Sequence, residues 1–229
     1  MLIGLVGKPS VGKSTLLSKI TNKESKIGAY EFTTLEVIPG LLNHNHTNLQ
    51  ILDLPGIIKN AANNKGFGKK VLSVVRVCDL IVFVVNAKHL DEMDMLLGEI
   101  AKAGIRVNKS KPFIEIHKQP KGGVVVPINM SEKNISYELI KDILNDTGIV
   151  NCEVMIHEEG LLADDFIDAV YGNLTYSTGV ICLNKIDLCS AQELKEKRDW
   201  LKKNYPGFEV FGISAESNTK ALRVDFLYL

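Results

Sequence analysis

The residues best suited to chemistry lie near the start of the chain, where Gly7 to Ser14 read G-K-P-S-V-G-K-S. Gly7 and Gly12 allow the backbone to turn and to approach an anion where a Cβ would clash. Lys13 can reach the β- and γ-phosphates of a nucleotide, and the Ser14 hydroxyl can ligate Mg²⁺. An apolar run precedes the loop and a helix-compatible segment follows it, so a helix N-terminus would face the same anion. The predicted nucleoside triphosphate site comprises Gly7, Lys8, Pro9, Ser10, Val11, Gly12, Lys13, Ser14 and Thr15.

A second polar motif, N-K-I-D at 184–187, also follows an apolar run. The Asp187 carboxylate can accept two parallel hydrogen bonds from N1–H and N2–H₂ of guanine, whereas adenine has no such donor pair on that edge. Asn184 would brace the loop and contact the base, and the Lys185 stem would cover a ring face. The Ala215 N–H would donate to guanine O6. After a phosphate loop, this motif favours guanine; the predicted residues are Asn184, Lys185, Ile186, Asp187, Ser214, Ala215 and Glu216.

Between these motifs lies D-L-P-G at 53–56. Asp53 can hold Mg²⁺ through a water molecule, and the Gly56 N–H can contact the γ-phosphate. A threonine in Y-E-F-T-T at 30–34 would complete the Mg²⁺ shell. Because Asp-Leu-Pro-Gly is also an ordinary turn, the prediction depends on its place between the other two motifs. The predicted residues of this region are Phe32, Thr33, Thr34, Asp53, Leu54, Pro55 and Gly56.

Alternating apolar and helical segments must position these motifs. We expect a doubly wound α/β fold whose mostly parallel sheet presents the ligand site at the C-terminal ends of its strands. A helix is predicted from Glu92 to Ala103, and the capping box that starts at Ser190 predicts another. The predicted strands lie near 2–6, 35–42, 48–53, 79–86, 178–184 and 208–213.

The pattern changes between about Gly104 and Tyr171. Apolar segments at 113–116 and 124–126 flank a Pro- and Gly-containing stretch and predict a hairpin. A helix near 132–145, a strand and a short acidic helix follow. We interpret this part as a small inserted α/β subdomain. The expected organisation is a first part of the core at 1–103, the insert at 104–171 and a second part of the core at 172–229.

Taken together, the motifs resemble one known family. The phosphate loop, Y-E-F-T-T-L at 30–35, D-L-P-G-I-I at 53–58 and the motif at 184–187 resemble the Obg superfamily of translation-factor-class GTPases. G-I-R-V-N-K-S-K-P at 104–112, with K-G-G at 121–123 and Gly172-Asn173, resembles the developmentally regulated GTP-binding protein (DRG) branch. The resemblance covers nearly the whole chain. It implies a P-loop NTPase fold with an inserted domain, GTP and GDP as ligands with Mg²⁺, and Thr34 rather than Thr33 as the Mg²⁺ ligand.

The expected GTPase activity is slow. Many small GTPases orient the attacking water with a Gln directly after D-x-x-G, and this chain has Ile57 there. The resemblance implies help from another group, a monovalent ion or a partner; Ser10 stands where some potassium-assisted relatives have Asn, so a role for K⁺ stays open. The chain has I-I-K-N-A at 57–61 where the branch has I-I-E-G-A, which changes charge and flexibility. The predicted catalytic residues are Lys13, Thr34 and Gly56, and the predicted metal ligands are Ser14, Thr34 and Asp53.

Charge is balanced overall, with 27 basic and 27 acidic residues, which argues against broad nonspecific binding to nucleic acid. Two segments are basic, however: 57–78 has five Lys or Arg and no acid, and 102–121 has six against Glu115. Both segments are either solvated faces or contacts to the phosphates of RNA or the ribosome. A regulatory protein partner is also open. No apolar stretch is long enough to span a bilayer, and we expect a cytoplasmic protein.

Three functions are open to a chain with this phosphate loop. The first is a slow GTPase switch in translation or ribosome function, and the second is a GTP-binding interaction module with negligible hydrolysis. The third, another P-loop enzyme such as a kinase, is disfavoured by the guanine motif. The first strand begins almost at Met1 and few residues follow Ala215. We therefore expect neither the helical N-terminal region nor the C-terminal TGS domain of the branch, in a natural short form or in a fragment of a larger DRG-like GTPase.

Overall fold

A computed structural model of the chain describes residues 1–21, 38–44, 47–54, 67–126, 135–158 and 160–216. The chain divides into two compact units, the larger made of Met1–Asn108 with Ser177–Leu229 and the smaller of Lys109–Tyr176. The smaller unit starts and ends somewhat later than the 104–171 expected for the insert. At its start the reason is that the segment after Gly104 pairs with the large sheet.

The larger unit is a doubly wound α/β sheet, as predicted. Its strands are β1 (Leu2–Val6), β2 (Ile38–His44), β3 (Thr47–Asp53), β4 (Leu80–Asn86), β5 (Ile105–Val107), β9 (Thr175–Asn184) and β10 (Glu209–Gly212). They follow the order β10-β9-β4-β1-β3-β2, and β5 also pairs with β9. Along this order four of the five neighbouring pairs are parallel, and the edge strand β2 runs antiparallel to its neighbour β3. The helices are α1 (Lys13–Ile20), α2 (Phe67–Val75), α3 (Glu92–Lys102) and α6 (Ala191–Asn204).

The central strand β4 shows why this sheet needs helices on both faces. Its residues from Leu80 to Val85 are all buried, as is typical of a parallel sheet covered on two sides. One face packs against apolar residues of α2, α3 and α6. The other packs against Leu16, Leu17 and Ile20 of α1. Each fully buried aliphatic side chain contributes about 1.5–3 kcal/mol relative to exposure, so the sheet is a rigid platform for the loops at its strand ends.

The smaller unit has a three-stranded sheet and two helices. They are β6 (Ile114–Lys118), β7 (Val124–Val125), α4 (Tyr137–Asp146), β8 (Cys152–Ile156) and α5 (Ala163–Tyr171). The predicted hairpin is wrong, because β8 lies between β6 and β7, antiparallel to the first and parallel to the second. Cys152 and Val154 are 0% exposed, which suits β8 to the central position. The Asn151 side chain, just before β8, accepts a hydrogen bond at 2.8 Å from the N–H of Gly123, just before β7, and so helps to hold the two strands side by side.

The C-terminal ends of the parallel strands bring the predicted motifs of the larger unit to one edge of the sheet. β1 leads into the phosphate loop, β3 ends at Asp53 and β9 ends at Asn184. Ligands of open α/β sheets bind at this edge. Among the described residues, none of the helices combines the length and the apolar character needed to cross a membrane.

Candidate nucleotide-binding site

The phosphate loop makes a sharp left-handed turn before α1. Ser10 and Gly12 have φ angles of 63° and 98°. A Cβ on Gly12 would lie 2.3 Å from Asn184 Nδ2, and one on Gly7 would lie 2.4 Å from the Val84 carbonyl oxygen. Both positions therefore require glycine. The Leu16 N–H donates to the Gly12 carbonyl at 2.9 Å, so the helix starts at the loop and its N-terminal N–H groups attract an anion.

Lys13 is enclosed by the loop that it belongs to. Its side chain is buried, and its Nζ donates to the carbonyls of Gly7 at 3.0 Å and Lys8 at 2.9 Å. Burial lowers the pKa of Lys13, and the nearby carboxylates of Asp53 and Glu92 oppose that shift. An ammonium group fixed inside a ring of backbone groups is suited to meet phosphate oxygens.

Two of the predicted metal ligands lie together. The Ser14 hydroxyl, at the start of α1, donates a hydrogen bond to Asp53 Oδ2 at the end of β3. A hydroxyl beside a carboxylate is a hard-oxygen donor set, which suits Mg²⁺ when water and phosphate supply the other ligands. Among the residues that the structure describes, no group of three or more His, Cys, Asp or Glu side chains could hold a metal by itself. Two oxygen ligands leave most of an Mg²⁺ shell to water and phosphate, so the Ser14–Asp53 pair fits an ion shared with a bound nucleotide.

Asn184 joins three loops at the floor of the site. Its side chain is 1% exposed. Its Nδ2 donates to the Val11 carbonyl in the phosphate loop at 2.8 Å. Its Oδ1 accepts from the N–H of Lys185 at 2.8 Å and from that of Ala215 at 3.1 Å. One amide thus fixes the phosphate loop, the N-K-I-D motif and the loop after β10 relative to one another.

Lys185 and Asp187 extend from this floor in different ways. Lys185 has a φ of 62°, and its Nζ donates to the Ser10 carbonyl at 3.0 Å. Asp187 lies in a 3-10 turn, is exposed, and its Oδ1 accepts from the Ser214 hydroxyl. The Ala215 N–H, for which a contact to guanine O6 is predicted, donates to Asn184 Oδ1 at 3.1 Å. The Asp187 carboxylate is thus the accessible acceptor of the motif.

An open cleft of about 130 Å³ lies over these residues. Sequence reasoning missed Leu188, which is 54% exposed at the cleft although it is apolar. Its signal would have been an apolar side chain directly after N-K-I-D. The lining residues are Gly12, Thr15, Asn184, Lys185, Asp187, Leu188, Ala215 and Glu216.

The side chains of Leu54 and Ile186, both predicted site residues, belong to the core and do not line the cleft, whereas one unpredicted residue lies near the phosphate loop. Leu54 is fully buried, and Ile186 packs against the core, so their side chains support the fold. Glu92 of α3 is 8% exposed and lies 3.6 Å from Lys8 Nζ. No sequence signal distinguishes Glu92 from the other acids of its helix. The predicted residues outside the described ones are Phe32, Thr33, Thr34, Pro55 and Gly56.

A phosphate loop after the first strand, an adjoining hydroxyl–carboxylate pair and an N-K-x-D motif at the same sheet edge define the class of P-loop GTP-binding proteins. Comparison with sequence families agrees with this class. Residues 2–119 match the family described as 50S ribosome-binding GTPase. Residues 121–224 match the C-terminal region associated with that domain. The chain belongs to this GTPase family, in the DRG branch of the Obg-like GTP-binding proteins.

Relatives from distant organisms carry the same resemblance. The chain is 43% identical to an uncharacterized GTP-binding protein of Methanocaldococcus jannaschii over 83% of this chain and 48% of that protein. It is 41% identical to developmentally-regulated GTP-binding protein 1 of Xenopus laevis over 84% and 52% of the two lengths. For developmentally-regulated GTP-binding protein 2 of Mus musculus the values are 40%, 84% and 53%. The chain therefore spans about half the length of the curated relatives that it matches.

Solved structures with the same fold include two GTPases. An NFeoB variant of S. thermophilus bound to GDP has a TM-score of 0.54 and 20% identity, covering 98% of this chain and 61% of that one. Era in complex with MgGDPNP and a 16S ribosomal RNA fragment has a TM-score of 0.50 and 19% identity, covering 99% and 55%. At this identity the likeness establishes the fold alone.

Proposed function

We propose that this chain binds GTP and GDP together with Mg²⁺, and that it hydrolyses GTP slowly as a cytoplasmic switch linked to translation or the ribosome. The observation that carries the proposal is the Asn184 network. It joins a phosphate-binding loop to a guanine-reading motif through bonds of 2.8–3.1 Å. A generic phosphate site has no need for this connection, whereas a guanine-nucleotide site must hold base and phosphates at one fixed separation.

Different described residues are proposed to bind different parts of the nucleotide. Asp187 accepts the paired donors of guanine, and the exposed Leu188 lies beside the base cleft. Lys13 and the backbone N–H groups at the start of α1 bind phosphate oxygens. Lys185, fixed to the Ser10 carbonyl, lies between the two regions.

Ser14 and Asp53 are the described residues that would hold Mg²⁺. When it is bound, the ion neutralises charge on the β- and γ-phosphates. The protein's own part is to keep a hydroxyl and a carboxylate adjacent at the ends of α1 and β3. Thr34, outside the described residues, remains the proposed ligand that engages only when a γ-phosphate is present.

Hydrolysis requires a water to attack the γ-phosphorus while the bond to the β–γ bridging oxygen breaks, giving GDP and phosphate. Lys13 stabilises the charge that develops on the phosphate oxygens. The Gly56 N–H is proposed to contact the γ-phosphate. Ile57 cannot hydrogen-bond a water, so alignment must come from another group, K⁺ or a partner. This feature also favours the second candidate function, a GTP-binding module with negligible turnover.

The proposed partner is RNA or the ribosome, contacted through the basic segments 57–78 and 102–121. In the second segment, four lysines of the smaller unit are exposed: Lys109, Lys111, Lys118 and Lys121. Exposed lysines meet phosphates without reading bases. The family description, 50S ribosome-binding GTPase, and the RNA-bound Era structure support RNA or the ribosome as the proposed partner. A regulatory protein partner is a further proposal without a described surface of its own.

Single-turnover phosphate release from preloaded GTP tests this function. It is measured in sodium and in potassium, with and without ribosomal subunits. We expect slow release in sodium and faster release with potassium or ribosomes, and Lys13→Ala should abolish it. Ile57→Ala is the matched control and should change the rate by a small factor only. Release of several per second in sodium alone, as in partner-stimulated GTPases, would contradict the proposal, and no release under any condition would favour the binding module.

A further inference from the structure

Glu92 is a buried acid beside the phosphate loop. The proposed binding of nucleotide and Mg²⁺ gives it no role. It is the first residue of α3 and is 8% exposed. Its Oε1 lies 3.6 Å from Lys8 Nζ. Its Oε2 is buried and has no hydrogen-bond partner among the described residues. An unpartnered buried carboxylate oxygen is costly, so its position invites a functional explanation.

Glu92 is connected to the phosphate-binding lysine through one residue. Lys8 contacts Glu92 with its side chain, and its carbonyl oxygen accepts from Lys13 Nζ at 2.9 Å. Glu92 therefore contacts the phosphate loop through Lys8.

We infer that Glu92 is a positioning residue that weakens the loop's hold on the terminal phosphate. Its ion pair keeps the Lys8 ammonium at α3, and its buried charge repels a polyphosphate bound on the loop. Because GTP carries one more phosphate than GDP, the repulsion acts more strongly on GTP. Glu92 thus reduces the preference of the site for triphosphate over diphosphate. The inference rests on the proposed guanine-nucleotide site.

The test is the dissociation constant of GDP divided by that of a non-hydrolysable GTP analogue, measured for the parent chain and for Glu92→Gln. The amide keeps the size of the side chain and removes its charge. Two unit charges about 10 Å apart interact by an energy that corresponds to roughly two- to twentyfold in affinity. We therefore expect both ligands to bind more tightly, with the gain for the analogue severalfold larger than for GDP.

Three further variants separate this effect from a packing effect. Lys8→Met leaves Glu92 without its partner and should lower the ratio, and the double variant should return it towards the parent value. Glu99→Gln changes another buried acid of α3, which is 2% exposed and pairs with Lys102 at 3.0 Å, and should leave the ratio unchanged. Equal weakening of both ligands by Glu92→Gln, or an unchanged ratio, would overturn the inference. If the parent chain binds neither ligand, the proposed nucleotide site itself fails.

Discussion

Asp187 is an exposed carboxylate whose Oδ1 already accepts a hydrogen bond from the Ser214 hydroxyl. An ionised carboxylate offers about four lone-pair sites, so Asp187 can keep this bond and still accept two from guanine. The Ser214 bond also limits rotation of the side chain. Under the proposed function, the choice of base depends on Asp187, whose orientation is limited by its bond to Ser214.

Asp187→Asn should weaken binding of both GTP and GDP, because an amide cannot accept from both guanine donors. The loss of a paired charged contact should cost about 2–3 kcal/mol, which corresponds to roughly 30- to 150-fold in affinity. Xanthine has a carbonyl in place of the N2 amine, so the variant should bind xanthosine nucleotides better than the parent does. Calorimetry with the three ligands measures this. Asp142→Asn, an exposed acid of α4, is the control, and an equal loss in both variants would count against the assignment.

Ser14→Ala should remove the Mg²⁺ dependence of binding for GTP and GDP alike, because the Ser14 hydroxyl, which lies beside Asp53, is a proposed Mg²⁺ ligand. In Mg²⁺ we expect affinity to fall by about tenfold or more. With the metal chelated, the variant and the parent should be similar. Ser18→Ala is the matched control, since the Ser18 hydroxyl donates only to the Thr15 carbonyl on the same helix. A Ser14→Ala protein that keeps the full Mg²⁺ effect would exclude the proposed ligand.

The described motif residues could be predicted because neighbours in sequence supply them together. Glu92 could not be predicted, because its place beside the phosphate loop depends on where α3 lies in the fold, whereas Leu188 was missed although it directly follows N-K-I-D. The bond from the Ala215 N–H to Asn184 could not be predicted either. Asn184 lies 31 residues away, and only the packing of β9 beside β10 brings the two together.

Strand β9 begins at the end of the smaller unit and ends at the first residue of the N-K-I-D motif. Beside its first part lies Asn108, which directly follows β5: its Nδ2 donates to the carbonyls of Gly179 at 2.7 Å and Gly207 at 2.8 Å. Its Oδ1 accepts from the Gly179 N–H at 2.7 Å. Asn108 has a φ of 53°, which Asn tolerates better than most residues. Because the same strand ends at Asn184, a well-fixed β9 helps to hold this residue at the floor of the candidate site.

Asn108→Ala should loosen the first part of β9. It leaves the polar groups of Gly179 without their partners and places a Cβ-only side chain at a positive φ. The local opening free energy should fall by about 1–3 kcal/mol. Hydrogen exchange of the β9 amides measures this change. Asn145→Ala, at an exposed position of α4, is the control, and unchanged exchange in β9 would show that the Asn108 bonds contribute little.

Strand positions could be predicted where an apolar run is continuous, as in β1 and β4. Which strands pair with each other in a sheet could not be predicted in the same way. The hairpin expected around 113–126 failed because pairing depends on β8, which follows later in the chain. Similarly, β5 pairs with β9 after a long intervening segment. Local sequence therefore predicts elements well, whereas their neighbours in a sheet depend on distant segments.

At the scale of the whole molecule, the alternation of strands and helices predicted the doubly wound sheet and the edge at which the site lies. Both follow from the covering of a parallel sheet on two faces. The large sheet places Gly12, Asn184 and Asp187 around one cleft although they are far apart in the chain. This convergence is the physical basis for proposing a single nucleotide site.

The most direct test of the account is calorimetry of GTP and ATP binding to the unmodified chain in Mg²⁺. If Asp187 reads guanine and the Asn184 network fixes base and phosphates together, GTP should bind and ATP should bind more weakly by roughly a hundredfold or more, since adenine lacks the donor pair. Equal affinity for the two nucleotides would show that only the phosphates are recognised, and would contradict the central claim.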